Sequence, residues 1–168
     1  RSKERSYELS GVMVVESTIR EYVAGDIAAH LIGQIGPIYA KEYEELSDKG
    51  YAMNDVIGKS GIEEAFESQL RGQNGKRTIT LNSNGEVIDA TVTEPPVPGN
   101  SIMLTIDMDL QQVAQDSLEE EILWLQANGE EGEGKEATAG AVVALDCKTG
   151  EILAMASYPT YNLATYNQ

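Results

Sequence analysis

The sequence predicts an α+β fold, because helical and extended segments fall in separate stretches of the chain. Residues 60–72 and 105–129 place apolar side chains at helical spacing. Residues 76–94 alternate with period two, and residues 139–156 hold two short apolar runs around a turn. Between these halves Pro95, Pro96, Pro98 and Gly99 break any regular element. A domain boundary is therefore expected there, separating residues 1–97 from residues 98–168.

Taken in order, "ESTIREYVAGDIAAHLIGQIG" (residues 16–36) mixes a short extended piece with a short helix whose N-cap is predicted at Asp26, with Gly33 and Gly36 as breakers. Pro37 suits the first turn of an amphipathic helix carrying Tyr39, Tyr43 and Leu46 on one face, with Gly50 as its stop. Ser60 and Glu63 have capping-box spacing, Ile62, Phe66 and Leu70 follow on one face, and Gly72 ends the helix. Ile79 and Leu81, then Ile88, Ala90 and Val92, alternate with polar residues on either side of Asn84-Gly85, a pair expected to supply the positive φ values of a hairpin turn.

Beyond the linker, Asp107 is expected to cap a long helix with an apolar stripe of Leu110, Val113, Ala114, Leu118, Ile122 and Leu125, leaving Glu119 to Glu121 wet. "EEGEGKEA" reads as a solvated connection, because it lacks the ordered acidic spacing of a calcium loop. Ala141 to Leu145 and Ile152 to Ala156 are apolar at both alternating sets of positions, the pattern of central strands covered on both faces. One helix cannot cover both faces, so a bare apolar face is expected within this chain.

Composition narrows the function classes. The 168 residues carry a formal net charge of −16, with 41% apolar residues, enough for a globular core. Such a charge repels phosphate backbones and anionic membrane surfaces, so no nucleic-acid partner is expected. No apolar run approaches the roughly 20 residues a spanning helix needs, and the first ten residues lack the apolar stretch of a signal peptide, so the chain as given is expected to be soluble. Cys147 is the single cysteine, which excludes an internal disulfide and a thiolate metal cluster. No metal or cofactor is expected.

Several short motifs invite catalytic readings. Lys148-Thr149-Gly150 matches one of three signatures of penicillin-recognising serine enzymes. Such an enzyme also needs a serine with lysine three residues on, as nucleophile and base, and no serine in the chain has one: Ser17 is followed by Arg20, Ser60 by Glu63, Ser68 by Arg71. Asp146 and Gly150 instead suit the ends of a tight hairpin loop. "IGKSG" (residues 57–61) resembles a phosphate loop, but Met53 stands where that motif needs its first glycine. His30, the sole histidine, sits in "IAAHLIG" and reads as a packed residue before it reads as a general base. Trp124 and Tyr158 read as core or interface.

Four stretches together resemble one family, the class B penicillin-binding proteins: "REYVAGDIAAHLIGQIG", "IGKSGIEEAFESQLRGQNG", "PGNSIMLTIDMDLQQVAQDSL" and "AGAVVALDCKTGEILAMASYPTYN". They cover most of the chain from Arg20 onward, and their order is more specific than any one of them. The resemblance implies a partial pedestal, or dimerisation, domain at residues 1–97 and, at residues 98–168, the first helix and β-hairpin of a peptidoglycan D,D-transpeptidase domain. It implies structural roles for Arg20, His30, Gly33, Gly58, Ser60, Gly61, Glu63, Leu70, Arg71 and Gly72 in the pedestal, and for Asp146 and Gly150 in the hairpin. No catalytic residue is implied within this chain, since the family's Ser-x-x-Lys, Ser-x-Asn and catalytic Lys-Thr-Gly lie further along. Val23 departs from the proline that relatives often carry after the tyrosine.

The implied function is to hold a catalytic domain away from the membrane and to contact assembly partners: a polytopic peptidoglycan glycosyltransferase and other elongation or division proteins. A homodimer stays open. The implied location is the extracytoplasmic face of the bacterial plasma membrane, reached through an anchor that has no match in this chain. Two other classes remain at this point, a stand-alone secreted serine hydrolase using His30 and a serine, and a stand-alone adaptor with a pedestal-like fold.

Overall fold

The computed structural model describes residues 19–85 and 87–166. Among them, three two-stranded antiparallel sheets alternate with helices. The elements run α1 (Ala29–Ile32), β1 (Ile35–Pro37), α2 (Ala40–Leu46), β2 (Val56–Gly58), α3 (Gly61–Ala65), α4 (Glu67–Leu70), β3 (Lys76–Leu81), β4 (Val87–Glu94), α5 (Met108–Asn128), β5 (Gly140–Leu145) and β6 (Ile152–Tyr158). The mixed content agrees with the α+β expectation, while several local details differ.

The first unit is built on close backbone approach. β1 pairs with β2, and Ile35 faces Gly58. Asp26 does not cap α1; the cap position is Ala28, whose φ of 53° is left-handed. Pro37 ends β1 instead of starting a helix, and α2 begins after Tyr39, which is 63% exposed. Tyr43 and Leu46 are half-buried on one face as expected, whereas Tyr39 is the cap, the Glu42 carboxylate accepting its N–H at 2.7 Å. Gly50 does close the following turn at φ 81°.

The expected helix over residues 60–72 is two short helices, broken at Phe66, which is 37% exposed. Its capping box is absent: the Ser60 hydroxyl accepts the Gln34 N–H at 3.2 Å, and Glu63 turns to Arg20. Long-range partners outbid the local cap because both side chains face β1 and the preceding loop. Gly72 is not a left-handed stop either; α4 ends at Leu70, and Gly72 instead lies where a Cβ would come 2.4 Å from the Val97 carbonyl oxygen.

β3 and β4 form the expected hairpin, but Gly85 (φ 80°) is the left-handed residue of its turn, with its N–H donating to the Asn82 carbonyl. Asn84 is not left-handed. Ile79, Ala90 and Val92 share one face by register, and every described residue of the hairpin strands is exposed. The proline-rich stretch that follows is held in place, since Gln73 and Val97 exchange backbone hydrogen bonds and the Asn100 N–H donates to Gln69.

The Asp107 cap is as expected, its carboxylate accepting the Leu110 N–H at 2.9 Å. The expected stripe of α5 holds from Ala114 through Leu118 and Ile122 to Leu125, which are buried or half-buried, but not in the first turns, where Leu110 is 37% and Val113 60% exposed and Gln111 is buried instead. The cause is the edge of β6. Gln111 donates from Nε2 to the Met155 carbonyl (3.0 Å) and accepts the Met155 N–H on Oε1 (2.7 Å), so its carboxamide pairs with β6 as a neighbouring strand would. The Asp107 N–H and the Thr105 hydroxyl donate to Leu153 and Ile152 on the same edge. α5 then covers the sheet face of Val142, Ala144, Ala154 and Ala156, and Gly140 admits Leu118 and Ile122, which a Cβ would meet at 3.0 Å. On the other face β5 is bare, with Val143 53% and Leu145 59% exposed, while Leu153 and Met155 of β6 are half-buried.

Candidate functional site

The residues singled out from the sequence gather in three places. The first is a knot of backbone where α1, β1, β2 and α3 cross. A Cβ on Gly33 would lie 2.0 Å from the Ser60 carbonyl oxygen, one on Gly61 2.4 Å from that of Leu31, and one on Gly58 2.0 Å from that of Glu63. Gly33 and Gly61 also carry positive φ values of 76° and 59°. Only glycine satisfies both demands.

Charged side chains frame this knot. Arg20 donates to Glu63 at 2.9 Å, and Glu63 is 6% exposed. Burial pushes the Glu63 carboxyl above the usual carboxylate range; the Arg20 guanidinium pulls it back without cancelling the effect, and Glu67 adds to the rise. Tyr22, beside this pair, is also raised, first by burial and then by the Glu63 charge. Arg20, Tyr22, Gly25, Ile32, Glu63 and Leu163 line a shallow cleft of about 280 Å³.

On the other side Arg71 lies over the Tyr51 ring at 3.4 Å, pairs with Asp55 at 2.6 Å and donates to the Gly50 carbonyl. Glu67 accepts from the Gly58 N–H (2.9 Å) and from the Tyr51 hydroxyl (3.4 Å). Lys59, the lysine of the "GKS" triplet, is held by Glu42 at 2.7 Å and lies 4.3 Å from the centre of the Tyr39 ring. Its hydrogen bonding to Glu42 holds the Glu42 carboxyl below the usual range. Leu70 presents its carbonyl to Gly99, where a Cβ would come within 1.8 Å. This geometry can fix one backbone arrangement; it offers no nucleophile and base in register.

His30 packs edge to face against Tyr161, with ring centres 4.8 Å apart and planes at 81°. That contact belongs to a second cluster, in which residues after β6 fold back on the loop before α1. The Leu163 N–H donates to Gly25, the Tyr161 hydroxyl to Ala29 and the Thr160 hydroxyl to Asp26. Gln115 joins them from α5. Sequence reasoning missed Gln111 and Gln115; the available signal was a pair of glutamines at i and i+4, in phase with Leu118 and Ile122.

Lys148-Thr149-Gly150 forms the β5–β6 turn. One oxygen of Asp146 accepts the N–H groups of Lys148 (2.7 Å) and Thr149 (3.1 Å), and the Gly150 N–H donates to the Asp146 carbonyl (2.8 Å). Gly150 is left-handed at φ 78° and Lys148 is exposed. Trp124, at 57% exposure, is outside the core of this chain, and Tyr158 is half-buried at the end of β6.

Comparisons with known proteins agree with this architecture. Residues 1–104 match the penicillin-binding protein dimerisation domain. The peptidoglycan D,D-transpeptidase MrdA of Acinetobacter baumannii is 32% identical over 159 residues, an overlap of 95% of this chain and 21% of that protein. A chain of a solved peptidoglycan synthase complex, described as coordinating polymerization and crosslinking, superposes with a TM-score of 0.71 at 35% identity, over 86% of this chain and 24% of that one. In the complex of penicillin-binding protein PBP2 with MreC from Helicobacter pylori the TM-score is 0.62 at 26% identity, over 87% and 24%. The chain thus spans about a fifth to a quarter of the length of these proteins. Motif order and family match converge: the chain belongs to the penicillin-binding proteins and carries their dimerisation domain.

Proposed function

We propose that this chain is the non-catalytic portion of a D,D-transpeptidase that cross-links bacterial peptidoglycan. In this reading residues 1–97 are the pedestal and residues 98–168 open the transpeptidase domain, with the boundary in the proline-rich stretch. The knot residues, from Arg20 to Gly72, and the turn residues Asp146 and Gly150 serve structure and not chemistry. The carrying observation is the Lys148 turn: its backbone donors are consumed by Asp146, its lysine is exposed, and no serine in the chain has a lysine one helical turn on.

The pedestal would hold the catalytic domain at the extracytoplasmic face of the plasma membrane and contact assembly partners there. The resemblance to chains of a peptidoglycan synthase complex and of a complex with MreC supports such contacts, with a polytopic glycosyltransferase as one partner and other elongation or division proteins, or a second copy, as others. Among the described residues no helix is long and apolar enough to cross a membrane.

Fluorescent penicillin labelling tests the assignment. The longer protein carrying Lys148→Ala should label like wild type, and this chain alone should not label. Loss of labelling in a folded Lys148→Ala protein would make the turn an active site. A flexible insertion after Pro96 in the longer protein should keep labelling but lower cross-linking of nascent glycan strands; unchanged cross-linking would remove the positioning role.

A further inference from the structure

We propose that Gln111 and Gln115 form a polar clasp through which the loop at residues 22–28 is locked to strand β6, so that docking of the first unit on the second depends on two carboxamides. The proposal rests on the reading of the pedestal as a support that positions a second domain. The two residues stand at i and i+4 on one face of α5, and Gln111 is wholly buried. Its amide satisfies both backbone groups of Met155. Nε2 of Gln111 also points to Oε1 of Gln115 at 3.4 Å.

Gln115 repeats the pattern on the other side. Its Oε1 accepts the Ala28 N–H (3.1 Å) and its Nε2 donates to the Asp26 carbonyl (3.1 Å). Turning that amide over would set donor against donor at Ala28, so the joint has one hydrogen-bonded arrangement. Ala28 itself is left-handed, a conformation that a residue with a Cβ keeps only where its surroundings hold it. The same Asp26 carbonyl accepts the Thr160 hydroxyl, and Leu163 binds Gly25 next to it. Apolar contact alone would tolerate sliding; a buried Gln111 coupled to a half-buried Gln115, each with donor and acceptor engaged, does not.

The test uses the 168-residue chain. Gln115→Met keeps length and helix propensity while removing both loop bonds. Amide exchange should accelerate about tenfold at Ala28, the scale of one or two lost hydrogen bonds. It should accelerate similarly at Leu163, whose N–H partner is Gly25 and not Gln115. The Lys59 amide, bonded to Gln34, is the reference and should not change. Gln112→Met, on the exposed Gln112–Asp116 pair, should leave all three amides as they were. An unaffected Leu163 in Gln115→Met would overturn the clasp, and so would an equal rise at Lys59, which signals general destabilisation. Should Gln115→Met lack the native circular dichroism spectrum, Thr160→Val removes the other side-chain donor to Asp26 and is read at Ala28 and Leu163 by the same criteria. Failure here leaves the positioning role standing, and loss of that role in the cross-linking assay leaves the exchange pattern untouched.

Discussion

Gly58→Ala isolates the packing of the glycine knot from backbone strain. Gly58 is a strand residue paired with Ile35, so its own φ does not demand glycine. The added Cβ would sit 2.0 Å from the Glu63 carbonyl oxygen, 2.2 Å from its carbon and 2.5 Å from the Glu64 nitrogen. Real Cβ contacts essentially never fall under 3.0 Å, so α3 must retreat from β2 by about 1 Å. All three atoms are backbone, so no side-chain rotation relieves the clash. Overpacking of this kind costs about 1–3 kcal/mol. The retreat also strains the bond from the Gly58 N–H to Glu67, worth about 1 kcal/mol. The expected loss is therefore about 2–4 kcal/mol, a large share of the roughly 5–15 kcal/mol that stabilises an ordinary domain. Urea unfolding followed by circular dichroism measures it, with Gly85→Ala as comparison. A Cβ on Gly85 meets nothing within 4 Å, so that variant bears only the left-handed penalty of about 1–2 kcal/mol. If Gly58→Ala unfolds at the wild-type midpoint, or is milder than Gly85→Ala, the knot is not close-packed and the reasoning fails.

Three further outcomes are expected. Lys148→Ala should change stability by no more than about 0.5 kcal/mol, as exposed substitutions do, while Gly150→Val, at a left-handed position with open space around it, should cost about 1–2 kcal/mol; equal denaturation midpoints for the two would refute the turn geometry. Because the native Glu63 carboxyl is raised, the folded state holds its proton to higher pH than the unfolded chain, so the Glu63 contribution to stability declines as pH rises from the ordinary carboxylate range through the raised native value. Glu42, lowered by Lys59, contributes with the opposite slope: its stabilisation is present above the unfolded value and is lost as pH falls through the native one. Urea midpoints of Glu63→Gln and Glu42→Gln, each taken as a difference from wild type, should therefore slope in opposite directions, for Glu63 as pH rises above the ordinary carboxylate range and for Glu42 as pH falls below it; slopes of the same sign would contradict these environments. The β3–β4 hairpin, two strands with no covered face, should show weak amide protection beside β5–β6; equal protection would mean that something covers it.

Elements carried by local chemistry were legible from the sequence alone. The Asp107 cap, the left-handed Gly85 and Gly150 turns and both long hairpins follow from residues a few positions apart, whose geometry the backbone sets without outside help. The turn at Lys148-Thr149-Gly150 was legible from Asp146 and Gly150, four residues apart. The family was legible too, because glycines and charged residues in fixed order leave a trace that survives without coordinates.

Tertiary structure decided what those residues touch. Ser60 and Glu63 have the spacing of a local cap, yet each finds a partner far along the chain, Gln34 at 26 residues and Arg20 at 43 residues. Pattern reading placed the later part of the α5 stripe, Ala114 to Leu125, but not its first turns, where the free edge of β6 presents polar backbone groups that a side chain with both donor and acceptor satisfies. Hydrophobic periodicity cannot register that demand, because it ranks glutamine as a surface residue. Gly33, Gly58 and Gly61 likewise appear in sequence as helix and turn punctuation. Their reason is the backbone crossing beside each one, and a crossing exists only once the chain has folded.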